Sequence, residues 1–281
     1  MLILKKTQGT LDVEFDTAAD ANVTVTITDA DGNAIETAAD ATHDSGGRYT
    51  FALPPQPNVA DLTCEWTGVF DGVAETLETD ASIVGRRLFT IPELRAFKGG
   101  ALSNADAYPD ELLAGAHDEI ADFFQRVCDV SFIPRYGQTV MNGNWRRAIW
   151  VNHRKLRKLL RVAVDGTVLD DSVVSQMAIY ASGKVDRTAL WGSYWQGWRD
   201  DNVAISYEHG WASPPARIRS AALLLARYEL VKTDPTDRMV AVSNDLGTVR
   251  LSIPSFVYPT GLPPVDAVLA RYDEHSPIEP F

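Results

Sequence analysis

The sequence predicts an α+β chain of two domains, in which a β-sandwich precedes a helical core with a β-rich insertion and an extended C-terminal arm. Three observations support this prediction. Apolar and polar residues alternate in short segments up to about residue 89, helical spacing begins after Thr90, and seven prolines interrupt residues 235–281. A length of 281 residues fits two domains.

The domain predicted over 1–89 consists of short strands separated by turns, one of them at Phe70-Asp71-Gly72. Cys64 and Trp66 fall on the same side of one strand, so we expect both in the core. No helical spacing interrupts this region, which favours a sandwich. The alternating apolar residues are Leu11, Val13, Val23, Val25, Ile27, Tyr49, Phe51 and Leu53.

The negative charge is concentrated in the first domain. Residues 1–89 carry 15 acidic and five basic side chains, a net charge of −10, whereas the whole chain has −12. This balance argues against general affinity for nucleic acid. Two distant cysteines indicate a reducing compartment without a disulfide framework. We expect neither a signal peptide nor contact with a membrane, because no apolar run has the length of a spanning helix.

The second domain, 90–234, is predicted to contain helices over 91–97, 109–128 and 215–231, with the β-rich insertion over 135–210. Thr90 and Glu93 fit a capping box at the first helix. Asp165-Gly166 predicts a hairpin turn within the insertion. After 234, periodicity is weak except near 265–272. We therefore expect 235–281 to be an arm that becomes ordered on a partner.

No motif in the sequence indicates a reaction. There is no GxSxG elbow, phosphate-binding loop or GxGxxG, and the acid pairs at 170–171 and 200–201 fall at turns. Neither cysteine has a CxxC partner. We predict no catalytic residue, no metal site and no cofactor. The histidines are scattered, without metal-ligand spacing: His43, His117, His153, His209 and His275.

A basic run lies inside the insertion, where eight cationic residues occur without any acidic one. Three interpretations are open: a solvated face with salt bridges, a surface that attracts DNA phosphates, or a surface that docks on an acidic neighbour such as another copy of this chain. The residues are Arg135, Arg146, Arg147, Arg154, Lys155, Arg157, Lys158 and Arg161.

An aromatic cluster follows, with glycines between its members. Tryptophan and tyrosine anchor interfaces and also stack on sugars, so we expect an interfacial loop, with core packing as the alternative. The cluster consists of Trp191, Tyr194, Trp195 and Trp198.

The segment from Tyr207 to Leu230 carries a resemblance. A strand ends in Tyr207-Glu-His-Gly210-Trp211, Pro214-Pro215 follow, and an Ala/Leu-rich helix comes next. Together with the order short helix, longer helix, β-rich insertion and C-terminal arm, this resembles the head-tail connector, or head completion adaptor, proteins of long-tailed double-stranded DNA phages. The resemblance covers about 90–281. The sandwich then looks like an added immunoglobulin-like accessory domain, because smaller family members lack it.

The resemblance implies a non-enzymatic virion protein of the head-tail junction, made in the cytoplasm of the host bacterium. Family members form rings, commonly dodecameric, beneath the portal, and extend the DNA channel. The expected partners are other copies of the chain, the portal protein, a tail-side connector, tail terminator or tail tube protein, and double-stranded DNA held without sequence preference. By the same resemblance, 235–281 would be the portal-contacting arm, with contacts expected from Ile253, Phe256, Tyr258, Pro259, Leu262, Tyr272 and Phe281.

The basic run is not inherited from this resemblance. We expect it to face either the lumen or a neighbouring subunit. An alternative function from a different class is a carbohydrate-binding or adhesion module that uses Trp191–Trp198 as a stacking platform. A hydrolase is a more distant alternative.

Overall fold

The computed structural model is a mixed α+β fold. It divides into two compact units, each built from two separate stretches of chain: unit 1 is Met1–Arg86 with Pro134–Gly210, and unit 2 is Arg87–Ile133 with Trp211–Phe281. The structure describes residues 1–187, 194–195, 200–231, 239–243, 248–251 and 259–273.

The N-terminal part of unit 1 contains two sheets around one core. The first has the order β1-β8-β7-β3-β4 and the second β2-β6-β5. Val25, Cys64 and Trp66 are fully buried between them, as the alternation predicts. The immunoglobulin-like class stays a prediction. The strands are β1 (Leu2–Leu4), β2 (Gly9–Glu14), β3 (Thr24–Asp29), β4 (Ala34–Asp40), β5 (Thr42–Ser45), β6 (Arg48–Leu53), β7 (Ala60–Phe70) and β8 (Val73–Val84).

The β7–β8 hairpin is the longest feature of this part. Its two-residue turn, Asp71-Gly72, has positive φ at both positions (50° and 77°), the geometry that matches the twist of the strands. The pairing runs without a register shift from Phe70 opposite Val73 to Ala60 opposite Ile83. β1 pairs in parallel with only the end of β8, over Ser82–Val84.

The β-rich insertion supplies the rest of unit 1. Its sheets have the orders β12-β11-β15-β9 and β10-β14-β13, and residues of both, among them Ile149, Val185 and Tyr207, form one core. The Asp165-Gly166 hairpin is confirmed. The elements are β9 (Arg135–Met141), β10 (Ala148–Trp150), β11 (Leu156–Val164), β12 (Thr167–Val168), the short helix α3 (Asp171–Val174), β13 (Ala178–Ile179), β14 (Lys184–Asp186) and β15 (Val203–His209).

Unit 2 is helical. Its first helix, α1 (Ile91–Ala96), begins with the predicted capping box: Thr90 Oγ1 accepts from the Glu93 amide, and the Glu93 carboxylate accepts from the Thr90 amide. A 3₁₀ turn, Phe97–Gly99, follows. The other elements of this unit are α2 (Asp110–Cys128), α4 (Ala216–Val231), β16 (Met239–Ser243), β17 (Thr248–Leu251) and α5 (Pro263–Leu269).

The described end of the chain is folded, unlike the extended arm expected from its prolines. Pro263 and Pro264 occupy the first positions of α5, where the missing amide costs no helical hydrogen bond. Val265 and Leu269 are buried, and α5 packs on α4 and α2. Residues 259–273 therefore belong to the core of unit 2.

Two hydrogen bonds mark where the chain leaves and re-enters each unit. In unit 1, the Gly85 amide donates to the Pro134 carbonyl over 2.8 Å. In unit 2, the Trp211 amide donates to the Ser131 carbonyl over 3.0 Å. The ends of each excursion thus lie side by side within their own unit.

Candidate functional site

Strand β15 is buried on both faces, and the face that carries Ser206 and Glu208 is polar. The Glu208 carboxylate accepts from Arg157 Nε at 2.8 Å and from Lys5 Nζ at 3.1 Å. Burial alone would raise the pKa of Glu208, but the hydrogen bonds from Arg157 and Lys5 outweigh it and lower that pKa below its ordinary value. Arg157 therefore serves an internal ion pair.

A second polar contact joins the same sheet to the turn after β3. The Asp31 carboxylate accepts from Ser206 Oγ at 2.6 Å, from Arg161 at 3.2 Å and from Gln138 at 3.2 Å. Lys158 Nζ donates to Asn58 Oδ1 at 3.3 Å. Together with Arg157, this places three of the eight basic residues in contacts inside unit 1, of which those of Arg157 and Arg161 are ion pairs.

Arg146 and Arg147 lie elsewhere, in the exposed turn between β9 and β10. The Arg147 guanidinium is 5.7 Å from the centre of the Tyr194 ring, within the range of a cation–π contact. Trp145 is 49% and Tyr194 45% exposed. We name these four residues the 145–194 cluster. It is a cationic and aromatic surface accessible to a partner.

Trp195 supports the backbone of this cluster, while its own side chain lies in the core. It is fully buried, its indole Nε1 donates to the Arg147 carbonyl at 3.1 Å, and its amide donates to the Arg146 carbonyl at 2.9 Å. The Arg187 guanidinium stacks 4.8 Å from its ring. The expectation of an interfacial ring is thus corrected for Trp195, which packs in the core; Trp191 and Trp198 lie outside the described residues.

The remaining basic residues, Arg135, Arg154 and Lys155, are only partly exposed. The backbone of Lys155 has φ 57°, and its carbonyl accepts from the Gly210 amide at 3.1 Å. Lys155 therefore contributes to the turn at the end of β15. The eight residues of the basic run do not share one environment, and Arg146 and Arg147 of the 145–194 cluster are among its exposed members.

A buried histidine–tyrosine cluster occupies the other face of β15. Tyr207 Oη lies 2.8 Å from His153 Nδ1 and 2.9 Å from Thr139 Oγ1, and the rings of His153 and His209 stack at 4.0 Å. Burial, followed by the neighbouring His153, lowers the pKa of His209 to about 3. Burial raises the pKa of Tyr207 above its ordinary value. These rings connect β9, β15 and the loop at residue 153.

An exposed row on the small sheet was not predicted. Trp150 pairs with Lys184, and Lys184 Nζ lies 4.9 Å from the ring centre of Tyr180. Trp150 is 38% and Tyr180 46% exposed. Lys184 also pairs with Asp186, at 2.9 Å. Of these residues, only Trp150 could be noticed in the sequence, as a tryptophan near the aromatic cluster. The other two residues come together only through strand pairing.

The residues expected to contact a portal divide into three groups. Leu262 is fully buried, and Tyr272 packs edge-on against Phe132 and Trp211 at ring distances of 5.6 and 6.2 Å. Pro259 is half-buried. The others, Ile253, Phe256, Tyr258 and Phe281, lie outside the described residues.

A groove of about 470 Å³ runs between α4 and α5. Ala221, Leu224 and Val268 line its apolar part, and Arg217 and Arg271 also border it. Within the described ranges, no group of three or more His, Cys, Asp or Glu residues is arranged to hold a metal ion. No helix in the described part of the chain is long and apolar enough to span a membrane.

Comparison with known proteins yields a likeness among solved structures only. No family model and no curated protein matches the chain. Among solved structures, it is similar to a chain of the "Neck of empty GTA particle computed with C6 symmetry", with a TM-score of 0.45 and 12% sequence identity, over 69% of this chain and 93% of that one. Residue roles are not transferred at that identity.

Proposed function

We propose that this protein is a structural, non-enzymatic subunit of a phage head-to-tail connector, which works as a ring beneath the portal, expected to be dodecameric. One observation carries the proposal: the order of elements that resembles this family. The helices α1 and α2 precede the insertion, β15 ends at His209, just before Gly210 with its φ of 97°, and α4 follows. As proposed partners we retain other copies of the chain, the portal, a tail-side protein and channel DNA.

The 145–194 cluster is the proposed contact to a neighbouring subunit or to DNA. Its two arginines are exposed, and Trp195 fixes their backbone in position. Such exposed arginines beside aromatic rings are typical of interfaces and also attract phosphates. The N-terminal strands, with their net charge of −10, supply an acidic surface for a neighbouring subunit and would repel DNA.

Native mass spectrometry of the full-length protein, alone and with its portal, tests the proposal. We expect ring-sized assemblies, and electron microscopy should show a central channel. A strict monomer that ignores the portal would contradict the proposed function.

The contribution of the cluster is tested by reversing both arginines, Arg146→Glu with Arg147→Glu. We expect at least a tenfold loss of ring assembly or of DNA retention, because the repulsion replaces an attraction. The matched control is Arg126→Glu, a change at an exposed position of α2. Equal assembly of both variants would contradict this role and would favour the interpretation that the arginines only face solvent.

The carbohydrate alternative is supported by one observation, the exposed Trp150–Lys184–Tyr180 row. Flat aromatic rings with a flanking cation can stack on sugars. A glycan array with the full-length protein and with Trp150→Ala tests it. Binding that disappears in the variant would favour this alternative, and the absence of binding to any glycan would remove it.

A further inference from the structure

Over most of its length, the outer edge of β8 has backbone amides and carbonyls that find no partner among the residues that the structure describes. β1 covers only Ser82–Val84, where the Ser82 amide donates to the Met1 carbonyl at 2.8 Å and the Val84 carbonyl accepts from the Lys5 amide at 2.9 Å. Nowhere in the described part of the chain does a strand pair with that edge over 73–80.

The alternation of a strand identifies which groups face outward. In an antiparallel pair, every second residue directs its amide and carbonyl away from the partner strand. Ser82 and Val84 face β1, and the β7–β8 register has no shift. Four more residues of the same parity therefore direct their backbone groups outward in a row, without a partner in the described ranges: Ala74, Thr76, Glu78 and Asp80.

The side chains along this edge are acidic. Glu75, Glu78 and Asp80 are exposed, and Glu65 lies directly opposite Glu78 on β7. No ion pair reaches these four carboxylates from another described residue. A second copy of the same edge would bring like charges together, which destabilises a strand pair. Self-pairing is therefore disfavoured.

We infer that the free edge of β8 binds an extended segment of a partner protein that carries lysine or arginine at alternate positions. The partner strand would add to the sheet next to β1, which already occupies the end of the same edge. Backbone hydrogen bonds would supply affinity, and the carboxylates would select a basic segment. This inference goes beyond the proposed ring and does not depend on it.

The first test uses the full-length protein and a short synthetic peptide in which lysine and valine alternate. Amide hydrogen exchange should slow at Ala74, Thr76, Glu78 and Asp80 when the peptide is added. The intervening amides should change little, because they already bond to β7. A peptide with glutamate in place of lysine should not bind.

Two variants make the test specific. Thr76→Pro removes an outward amide without breaking the β7–β8 ladder, so we expect binding about two- to tenfold weaker with the thermal midpoint retained. Glu78→Lys with Asp80→Lys should lose the lysine peptide and gain the glutamate peptide. Glu36→Lys, on β4, is the matched charge control.

The inference is overturned if neither peptide slows exchange at the four amides. It is equally overturned if the lysine peptide binds the proline and charge-reversed variants as tightly as the unmodified protein. That second result would show that neither the outward backbone groups nor the carboxylates of this edge are responsible for the binding. Ring assembly is measured separately, so either hypothesis can fail alone.

Discussion

At the scale of single residues, the buried His209 has the clearest consequence for stability. Its pKa of about 3 lies below the ordinary 6.5 because the ring is buried, stacks on His153 and lies near Arg135. The folded protein therefore keeps His209 neutral when the unfolded chain already binds a proton. Its contribution is fully present above pH 6.5 and is lost as the pH falls towards 3.

We predict that the free energy of unfolding of unit 1 falls below pH 6.5, by up to about 1.4 kcal/mol per pH unit from this group. Urea unfolding between pH 7 and pH 4 measures it. His209→Gln should flatten the pH dependence, whereas His43→Gln, at an exposed position, should leave it unchanged. Parallel pH profiles for the protein and both variants would contradict the prediction.

Gly137 is required by the same cluster. A Cβ at this position would lie 2.8 Å from the Tyr207 ring and 3.0 Å from His153 Nδ1. We predict that Gly137→Ala destabilises unit 1 by about 1–3 kcal/mol. Gly115→Ala is the control, because no atom lies within 4 Å of its Cβ on α2, and it should stabilise by about 0.5–1 kcal/mol. Thermal unfolding that ranks the two variants in the opposite order would refute the argument.

At the scale of elements, local patterns in the sequence predict more than long-range ones. The capping box at Thr90, the Asp165-Gly166 hairpin and the alternating strands of the first domain all depend on neighbours a few residues apart. Strand β11 is harder to predict from the sequence, because register shifts after Leu156 and Leu159 break its two-residue period. The shifts bury Leu156, Leu159 and Val162 together, and this pattern is not visible as alternation.

The two faces of β15 explain why its polar partners were missed. Ser206 reaches Asp31 across 175 positions of sequence, and Glu208 reaches Lys5 across 203. A charge run shows that cations are present but cannot show which acids face them. Similarly, Trp195 appears interfacial among its aromatic neighbours, and only the assembled sheets reveal that it fills the core.

We predict that Glu208→Gln lowers the free energy of unfolding of unit 1 by about 1–2 kcal/mol, because Arg157 and Lys5 lose their anionic partner while remaining partly shielded from water. Asp12→Asn is the control. Its ion pair with Arg48 is exposed, and its loss should cost under about 0.5 kcal/mol. Urea unfolding of both variants provides the comparison. Equal losses would show that the burial of Glu208 has no effect.

At the scale of the whole molecule, the composition change at Thr90 and the contacts within the chain divide the residues into domains differently. The boundaries at 89 and 234 stay predictions, whereas the insertion 135–210 belongs to unit 1, where Ser206 and Glu208 make polar contacts with Met1–Arg86. A boundary inferred from composition along the sequence cannot show that a later segment of the chain packs with an earlier one. The ring and its partners involve other chains, and they therefore belong to the proposed function.

The C-terminal segment gives a prediction at this scale. A chain that ends at Asp234 loses α5, whose Val265 and Leu269 are buried, and also the edge-on contacts of Tyr272. We expect unit 2 to lose about 3 kcal/mol or more. A chain that ends after Asp273 is the control and should keep its thermal midpoint. If the shorter chain unfolds at the same temperature, α5 is not part of the core.

The hydrogen bond between Gly85 and Pro134 makes the molecule separable by protein engineering. Because the two residues already touch, a direct or very short peptide link could join 1–85 to 134–210 and close the sheets of unit 1 into one continuous polypeptide. The entropic cost of such a short closure is small. The excursion 86–133 packs with the C-terminal helices in unit 2, so it would be removed or exchanged together with 211–281, and the strands that flank the junction would not be stretched.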